Sequence, residues 1–410
     1  MSKIAVLGYG VVGSGTVEVF YKNKKNLEQR AGRDLDIKYI LDLRDFNDSP
    51  YADRFVKDFE VILKDPEVEV VAELIGGATF SYDFVKQSLL AGKSVVTSNK
   101  ELVAQKGAEL LKIAAEKGVS FFFEASVGGG IPLIRPLHQC LPTDVVTEIK
   151  GILNGTTNFI LSKMFAEGMN FGDALKMAQD FGYAERNPEA DVEGHDTCRK
   201  ICILASLCFG RHIFPAHVHT EGITNITLPD MEYADNFKCA VKLIGWAKKE
   251  KGKLIVMVFP AFIPSDCQLS TVNDVFNAVL VHGEARGEVL FYGKGAGKLP
   301  TASAVLSDIV NALKDNVEKS MFWEESCENE NPILNYKDMT HRFYVRLKSA
   351  QAADIFKVFG NEGIEFIHRK NALEEEKAFI TDYLTEREFD EKCADIEKAA
   401  EIIGKLRVFE

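Results

Sequence analysis

Residues 3–13 read KIAVLGYGVVG, and the fold class follows from them. Lys3 to Leu7 is a short apolar run of strand composition. It stops at Gly8, Gly10 and Gly13, spaced G-x-G-x-x-G, and Ser14 to Tyr21 then has helical composition. Strand, glycine turn and helix form the context in which this spacing carries meaning. The first glycine makes a tight turn, the second lets the backbone approach a diphosphate, and the third lets the helix pack on the strand. The diphosphate belongs at the helix N-terminus, where unpaired N–H groups and the helix dipole favour an anion. Gly8, Gly10, Val11, Val12 and Gly13 are therefore read as a dinucleotide-binding turn.

The next segments extend the same rhythm. Ile37 to Leu41 is a second strand, reached across a polar insertion at 23–35, and it ends in Asp42-Leu43-Arg44. An acidic residue there bonds the ribose 2′-OH of NAD, and a nearby arginine accepts the 2′-phosphate of NADP. With Asp42 and Arg44 both present, the expectation is NAD(P). Val70 to Leu74 is a third strand running into Gly76 and Gly77, and Tyr82 to Leu90 is helical. Ser94 to Val96 is a fourth strand leading to Asn99 and Lys100, followed by a helix at 106–116 and a strand at Ser120–Glu124. Strands alternating with helices predict an α/β fold with a doubly wound parallel sheet. Ligands bind such sheets at the carboxyl ends of the strands, where Gly76, Gly77, Lys100 and the glycine-rich stretch after Glu124 all fall.

Val145 to Leu153 is a further strand, and Asn154-Gly-Thr-Thr-Asn158 opens a helix, with Asn and Thr suited to capping it. An amphipathic helix spans Phe171 to Asp180 and ends near Gly182. Residues 178–200, AQDFGYAERNPEADVEGHDTCRK, then hold Glu185, Asp191, Glu193, Asp196 and Lys200 among two glycines and a proline. Helices disfavour that mixture, so this is a carboxylate-rich loop, and it runs into the apolar segment Ile201 to Phe209. Asp196 and Lys200 stand i, i+4, on one helix face. Such a pair is ordinarily a solvated ion pair. Here the lysine is expected in the first helical turn, against the positive end of the dipole, and beside a buried segment. That makes Lys200 a candidate for proton transfer, while Glu185 and Asp191 suit a substrate ammonium.

Downstream, 233–248 reads as an amphipathic helix, and 254–263 and 278–284 as strands of a mixed or antiparallel sheet. The turn Tyr292 to Gly297 precedes a helix from Pro300 to Leu313. Residues 322–333, FWEESCENENPI, read as a linker. The tail then reads strand 342–347, helix 350–359, strand 363–368, strand 377–383, helix 386–403 and strand 406–409. The order β-α-β-β-α-β is ferredoxin-like. The expected division is a dinucleotide-binding domain (1–133 with 298–320), an α+β substrate and dimerisation domain (134–297), a linker (321–339) and a C-terminal domain (340–410).

Composition bounds the partners. The chain has 410 residues, 46% hydrophobic and 27% charged, which suits a soluble protein of two or three domains. A net charge of −12 argues against nucleic acid and anionic membrane as partners. No apolar run reaches transmembrane length, and MSKIAVLGYG lacks the order of a secretory signal. Eight cysteines without a C-x-x-C pair read as reduced thiols of a cytoplasmic protein. His195, Cys198 and Cys202 have no second cluster to complete a zinc site.

The spacing A-x3-G-Y-A-x2-N-P-x2-D-V-x-G-x-D-x3-K, from Ala178 to Lys200, resembles the signature of homoserine dehydrogenases. The resemblance covers about residues 1–320 and implies NAD(P)-dependent interconversion of L-homoserine and L-aspartate 4-semialdehyde, on the path to threonine and methionine. It implies that Lys200 exchanges the proton, that Asp196 orients it, and that Lys100 lies between cofactor and substrate. It places Glu185, Asp191, Gly182, Asn154 and Thr156 at the substrate, and Gly297 beside the nicotinamide. It further implies a monovalent cation, Na+ or K+, on the backbone carbonyls of Glu124, Val127, Gly129 and Ile131, and a homodimer or homotetramer. The tail resembles an ACT regulatory domain. Its first strand meets its first helix at Lys348-Ser-Ala-Gln351, without the Pro-Gly turn usual for effector binding, so a sensing and a purely structural role both stand. Two rival readings of the whole chain are a sister amino-acid dehydrogenase, which a substrate panel separates, and a catalytically dead sensor, which the intact Lys200 and Asp196 oppose.

Overall fold

The computed structural model describes residues 1–77, 79–141, 144–250, 252–314, 323–326 and 331–409. The chain divides into two compact units. The first comprises Met1–Val146, Cys202–Ala216 and His282–Glu330; the second comprises Thr147–Ile201, His217–Val281 and Asn331–Glu410.

The first unit opens with β1 (Ser2–Leu7), α1 (Val11–Ala31), β2 (Leu35–Leu41), β3 (Phe55–Val56), α2 (Phe59–Lys64) and β4 (Val68–Glu73). Then come α3 (Thr79–Leu90), β5 (Ser94–Thr97), α4 (Lys100–Lys117) and β6 (Phe121–Phe122). The strands form one parallel sheet in the order β3-β2-β1-β4-β5-β6. Ile4 to Leu7, Val70 to Ala72 and Val95–Val96 are wholly buried, as expected of parallel strands covered on both faces. The order reverses between β1 and β4, so a crevice forms beyond their carboxyl ends. The polar stretch at 23–35 is not an insertion. It continues α1, with a kink at Asn23 (φ −113°, ψ 16°), up to the left-handed cap at Gly32. Polar residues there form the solvated face of a helix, which a reading for apolar period misses.

Next come β7 (Val146–Ile152), α5 (Gly155–Glu167), α6 (Phe171–Asp180), α7 (Glu189–Val192) and α8 (His195–Phe209). They are followed by β8 (His219–Thr220), α9 (Leu228–Asn236), β9 (Cys239–Glu250), β10 (Lys253–Pro264) and β11 (Phe276–Gly283). The helix expected at 233–248 is overturned. α9 starts earlier, at a capping box between Thr227 and Asp230, and stops at Asn236. Cys239 to Glu250 is then a strand, paired antiparallel with β10 from Cys239↔Pro264 to Glu250↔Lys253. The run CAVKLIGWA is apolar enough for either period, and the facing strand decides between them. Ile244, Trp246, Met257 and Phe259 go into the core of this sheet, each burial being worth about 1.5–3 kcal/mol.

Chain then returns to the first unit as β12 (Gly287–Lys294) and α10 (Lys298–Ala312), which packs along α1. The stretch read as a linker lies partly outside the described residues. Its Trp323 is buried, and the indole N–H donates to His212 Nδ1 at 2.9 Å.

The C-terminal elements are β13 (Thr340–Lys348), α11 (Ala352–Phe359), β14 (Glu365–Ile367), β15 (Glu376–Ile380), β16 (Leu384–Thr385), α12 (Glu386–Ile396) and β17 (Glu401–Val408). The second helix stops at Ile396, not at 403, and the last strand is correspondingly longer. The order β17-β13-β15-β14 is antiparallel throughout, in the ferredoxin-like arrangement. Phe343, Val345, Phe359, Phe379 and Phe389 form its core. β17 also pairs in parallel with β10, through Ala261↔Arg407 and Phe262↔Val408. The second unit is therefore built on one continuous sheet, in the order β11-β7-β9-β10-β17-β13-β15-β14.

Candidate active site

In the first unit the glycine turn joins β1 to α1. Gly8 has φ +92°, and a Cβ there would lie 2.9 Å from the carbonyl oxygen of Leu74. A Cβ on Gly13 would lie 1.9 Å from the carbonyl oxygen of Gly8. No larger residue fits either position, and the α1 N-terminus is left as an open cradle capped by Gly10. Its first residue, Val11, is exposed, and no acidic side chain stands in the first turn. This geometry fits a dinucleotide diphosphate.

Asp42 follows β2. Its Oδ2 accepts from the Tyr9 amide at 2.8 Å, and the Arg44 guanidinium forks onto both its oxygens, at 3.0 and 2.8 Å. Arg44 beside it holds the Asp42 carboxyl well below the usual carboxylate range. The Arg44 side chain is itself largely exposed. Gly76 and Gly77 form the exposed turn after β4.

That turn is held by Glu73, whose role the sequence reading passed over. Glu73 is fully buried and accepts from the amides of Ile75 (2.9 Å) and Gly76 (3.3 Å). It also accepts from Ser81 Oγ (2.9 Å) and Thr97 Oγ1 (2.6 Å). Asn99 Nδ2 donates to the Gly77 carbonyl at 2.6 Å, and Asn99 Oδ1 caps α4. A glutamate at the end of an otherwise apolar strand was the available signal. Lys100 is the first residue of α4, where a cation opposes the helix dipole.

The Glu124 carboxylate is engaged by the amides of Leu133 (2.6 Å), Ile134 (2.8 Å) and Arg135 (2.9 Å). The Glu124 amide donates to Asp308 on α10 at 2.8 Å, and Arg135 pairs with the same aspartate at 2.6 Å. Burial pushes the Asp308 carboxyl up to about 7, with the nearby Glu124 charge adding to it. With the Glu124 side chain so committed, a cation at 124–131 has main-chain oxygens to draw on, the hard ligands it prefers. Gly297 caps α10 at the end of the second glycine-rich turn.

The second unit carries the charged cluster. α8 begins at His195, so Lys200 stands in its second turn, not in its first as the sequence suggested. The positive φ of Gly194 ends the preceding turn and sets that start. Lys200 is 7% exposed and Asp196 2%. Lys200 Nζ donates to Asp196 Oδ2 at 2.7 Å and to the Leu153 carbonyl at 2.7 Å. An isolated buried ammonium is very costly, and removing one partner of a buried pair costs about 3–5 kcal/mol. The Leu153 carbonyl had no signature in the sequence.

Asn154 ties the cluster together. Its Nδ2 donates to Asp196 Oδ2 at 2.8 Å and to Asp191 Oδ1 at 2.6 Å, while its Oδ1 caps α5 through the Thr157 amide at 2.8 Å. Thr156 Oγ1 donates to the Tyr183 carbonyl at 2.6 Å and so anchors the turn after α6. Gly182 and Glu185 lie in that turn, both exposed. Lys200, Asp196, Asn154 and Asp191 are thus joined directly, Thr156 adjoins them along the chain, and Glu185 stands outside the hydrogen-bonded set. The arrangement holds a buried lysine amine beside two carboxylates, a combination suited to proton exchange with a small substrate that carries its own ammonium.

Comparison with known proteins bears on this arrangement. A family model described as "Homoserine dehydrogenase" matches residues 132–310, and one described as "Homoserine dehydrogenase, NAD binding domain" matches residues 8–124. A homoserine dehydrogenase of Pseudomonas aeruginosa is 36% identical over 418 residues, covering 98% of this chain and 95% of the relative. The crystal structure of a homoserine dehydrogenase from Thiobacillus denitrificans superposes with a TM-score of 0.91 at 34% identity, over 100% of this chain and 98% of that one. A hyperthermophilic archaeal homoserine dehydrogenase mutant in complex with NADPH superposes at 0.66 and 27% identity, over 76% of this chain and 97% of that one.

Proposed function

This chain belongs to the homoserine dehydrogenase family, and from that premise we propose how its own residues divide the work. It is an oxidoreductase of amino-acid biosynthesis with a nicotinamide-dinucleotide-binding domain, and its reaction interconverts L-homoserine and L-aspartate 4-semialdehyde. The observation that carries the residue-level reading is the buried Lys200 ammonium, held by Asp196 and the Leu153 carbonyl.

In the reductive direction Lys200 Nζ gives a proton to the aldehyde oxygen, which becomes the homoserine hydroxyl. In the oxidative direction it takes that proton back. The chemistry supplied by a bound nicotinamide is hydride transfer to and from the same carbon. Asp196 keeps Lys200 oriented through the 2.7 Å bond to its Nζ. Asp191 and Glu185 hold the substrate ammonium, with Asn154, Thr156 and Gly182 shaping the pocket, and Lys100 helps to place the substrate.

Gly8, Gly10, Val11, Val12 and Gly13 hold the cofactor diphosphate. Asp42 suits the ribose 2′-hydroxyl of NAD and Arg44 the 2′-phosphate of NADP, so the cofactor is NAD(P), and Gly76, Gly77, Lys100 and Gly297 complete its surroundings. The NADPH bound to the archaeal relative supports the phosphorylated form. A Na+ or K+ ion would be held by the backbone carbonyls of Glu124, Val127, Gly129 and Ile131. The protein works in the cytoplasm, on the route to threonine and methionine, as a homodimer or homotetramer. Residues 340–410 act as an ACT-like module beside a nucleotide domain (1–133 with 298–320) and a substrate domain (134–297).

The test is the fall in reduced-nicotinamide absorbance when purified protein meets aspartate semialdehyde, with NADH and NADPH supplied in turn. Oxidation of either supports this reading. Oxidation of neither removes it.

A further inference from the structure

Asp191 and Asp196 accept hydrogen bonds from the same Asn154 amide, so their separation must be set closely. The chain between them is the turn Val192 to Gly194, which joins α7 to α8. Residues 221–223 brace that turn. The Ile223 amide donates to the Val192 carbonyl at 2.8 Å. Gly222 lies flat against it: a Cβ there would sit 2.3 Å from the Val192 oxygen and 2.6 Å from Glu193 Cα. A Cβ on Gly194, in turn, would sit 3.0 Å from the Glu221 carbonyl oxygen.

The brace is itself fixed from the C-terminal strand. Arg407, on β17, forks onto the Glu221 carboxylate with two bonds of 2.7 Å, and onto Glu386 with bonds of 2.5 and 2.9 Å. Arg407 is 6% exposed, and its guanidinium lies 4.9 Å over the Phe259 ring. His219 Nε2 lies 2.6 Å from Glu221 Oε1, with its ring stacked on Tyr336 at 3.6 Å. The Glu221 amide donates to the Val258 carbonyl at 2.8 Å. The guanidinium end is buried while the Glu221 carboxylate is 38% exposed, and the forked geometry itself allows little freedom in distance or angle.

We propose that Arg407 and Glu221 are positioning residues for the substrate-binding carboxylate Asp191, acting through Gly222 on the Val192–Gly194 turn. This rests on the reading of Asp191 as a holder of the substrate ammonium. The C-terminal strand is then a working part of the substrate site.

Steady-state kinetics of homoserine oxidation test this on Glu221→Gln, Arg407→Lys, Arg407→Met and Gly222→Ala, with Asp191→Asn as reference and a melting temperature for each. Gly222→Ala pushes on the turn directly, with both clamp side chains unchanged in identity. Glu221→Gln keeps the side chain's size but replaces one accepting oxygen with an amide donor and so opens the fork, and it remains informative where Arg407→Met fails to fold. Because small displacements of substrate-holding groups cost on the order of tenfold to a hundredfold, the KM for homoserine should rise about tenfold in Glu221→Gln and Gly222→Ala. The KM for cofactor should stay unchanged, and Arg407→Lys should be milder than Arg407→Met. If melting temperatures fall while the KM for homoserine holds, and Asp191→Asn raises it, the clamp is structural only and the proposal is overturned. If Asp191→Asn itself leaves the KM unchanged, the reading of the substrate site fails instead, and the positioning claim falls with it.

Discussion

Asn154 donates to Asp196 Oδ2 at 2.8 Å, the same oxygen that receives Lys200 Nζ at 2.7 Å. Two donors on one buried carboxylate oxygen keep it aimed. A neutral amide also separates Asp196 from Asp191, so neither carboxylate stands unscreened against the other. Asn154→Leu keeps the volume and removes both donations and the helix cap. It should cost about 1 kcal/mol for the cap and about 1.5–3 kcal/mol for hydrogen bonds to charged groups, read as a lower midpoint in denaturant. Turnover should fall with it. A variant with unchanged stability and turnover would show that the amide organises nothing.

Arg44 and Asp42 make a second paired prediction. Arg44 is exposed and rests on an ionised Asp42, so a cofactor ribose meets both signs of charge. Arg44→Ala removes the partner for a 2′-phosphate and leaves the partner for a 2′-hydroxyl. The KM for NADPH should therefore rise about tenfold more than that for NADH, as for loss of one charged hydrogen bond. Equal changes in the two would contradict the assignment.

Acid sensitivity follows from two buried histidines. Burial lowers His212 to about 4 and His341 to about 4. The unfolded value is about 6.5, so between those limits the unfolded chain binds more protons than the folded one. Stability from these groups is complete above about pH 6.5 and drains as pH falls toward 4. Each contributes up to about 3 kcal/mol at 1.36 kcal/mol per pH unit. Melting temperature should drop between pH 7 and pH 5, and His341→Gln should flatten that drop. A variant with the same slope as the parent would remove His341 from the account.

How much of this was legible depended on whether a residue's identity carries the constraint. Gly8 and Gly13 were readable because a Cβ at either position collides with backbone, so only one residue type serves. Asp196 and Lys200 were readable because i, i+4 spacing is a geometric fact of any helix. Lys200 was placed one turn too early because the start of α8 is set by Gly194 and by the brace at 221–223, not by the helix's own residues. Cys239 to Glu250 was misread because its apolar run fits two periods, and the deciding partner is β10. The Leu153 carbonyl was invisible, since a main-chain oxygen has no letter of its own. The pairing of β17 with β10 escaped for a related reason: strands far apart in sequence carry no local mark of their partner.

The most direct test of the central claim is Lys200→Ala, assayed for turnover and, separately, for cofactor binding by nicotinamide fluorescence. The account predicts a loss of about 10²–10⁴ in kcat, the usual contribution of a general acid–base group, with cofactor affinity unchanged. Turnover near that of the parent would contradict it, and the proton would have to come from another group.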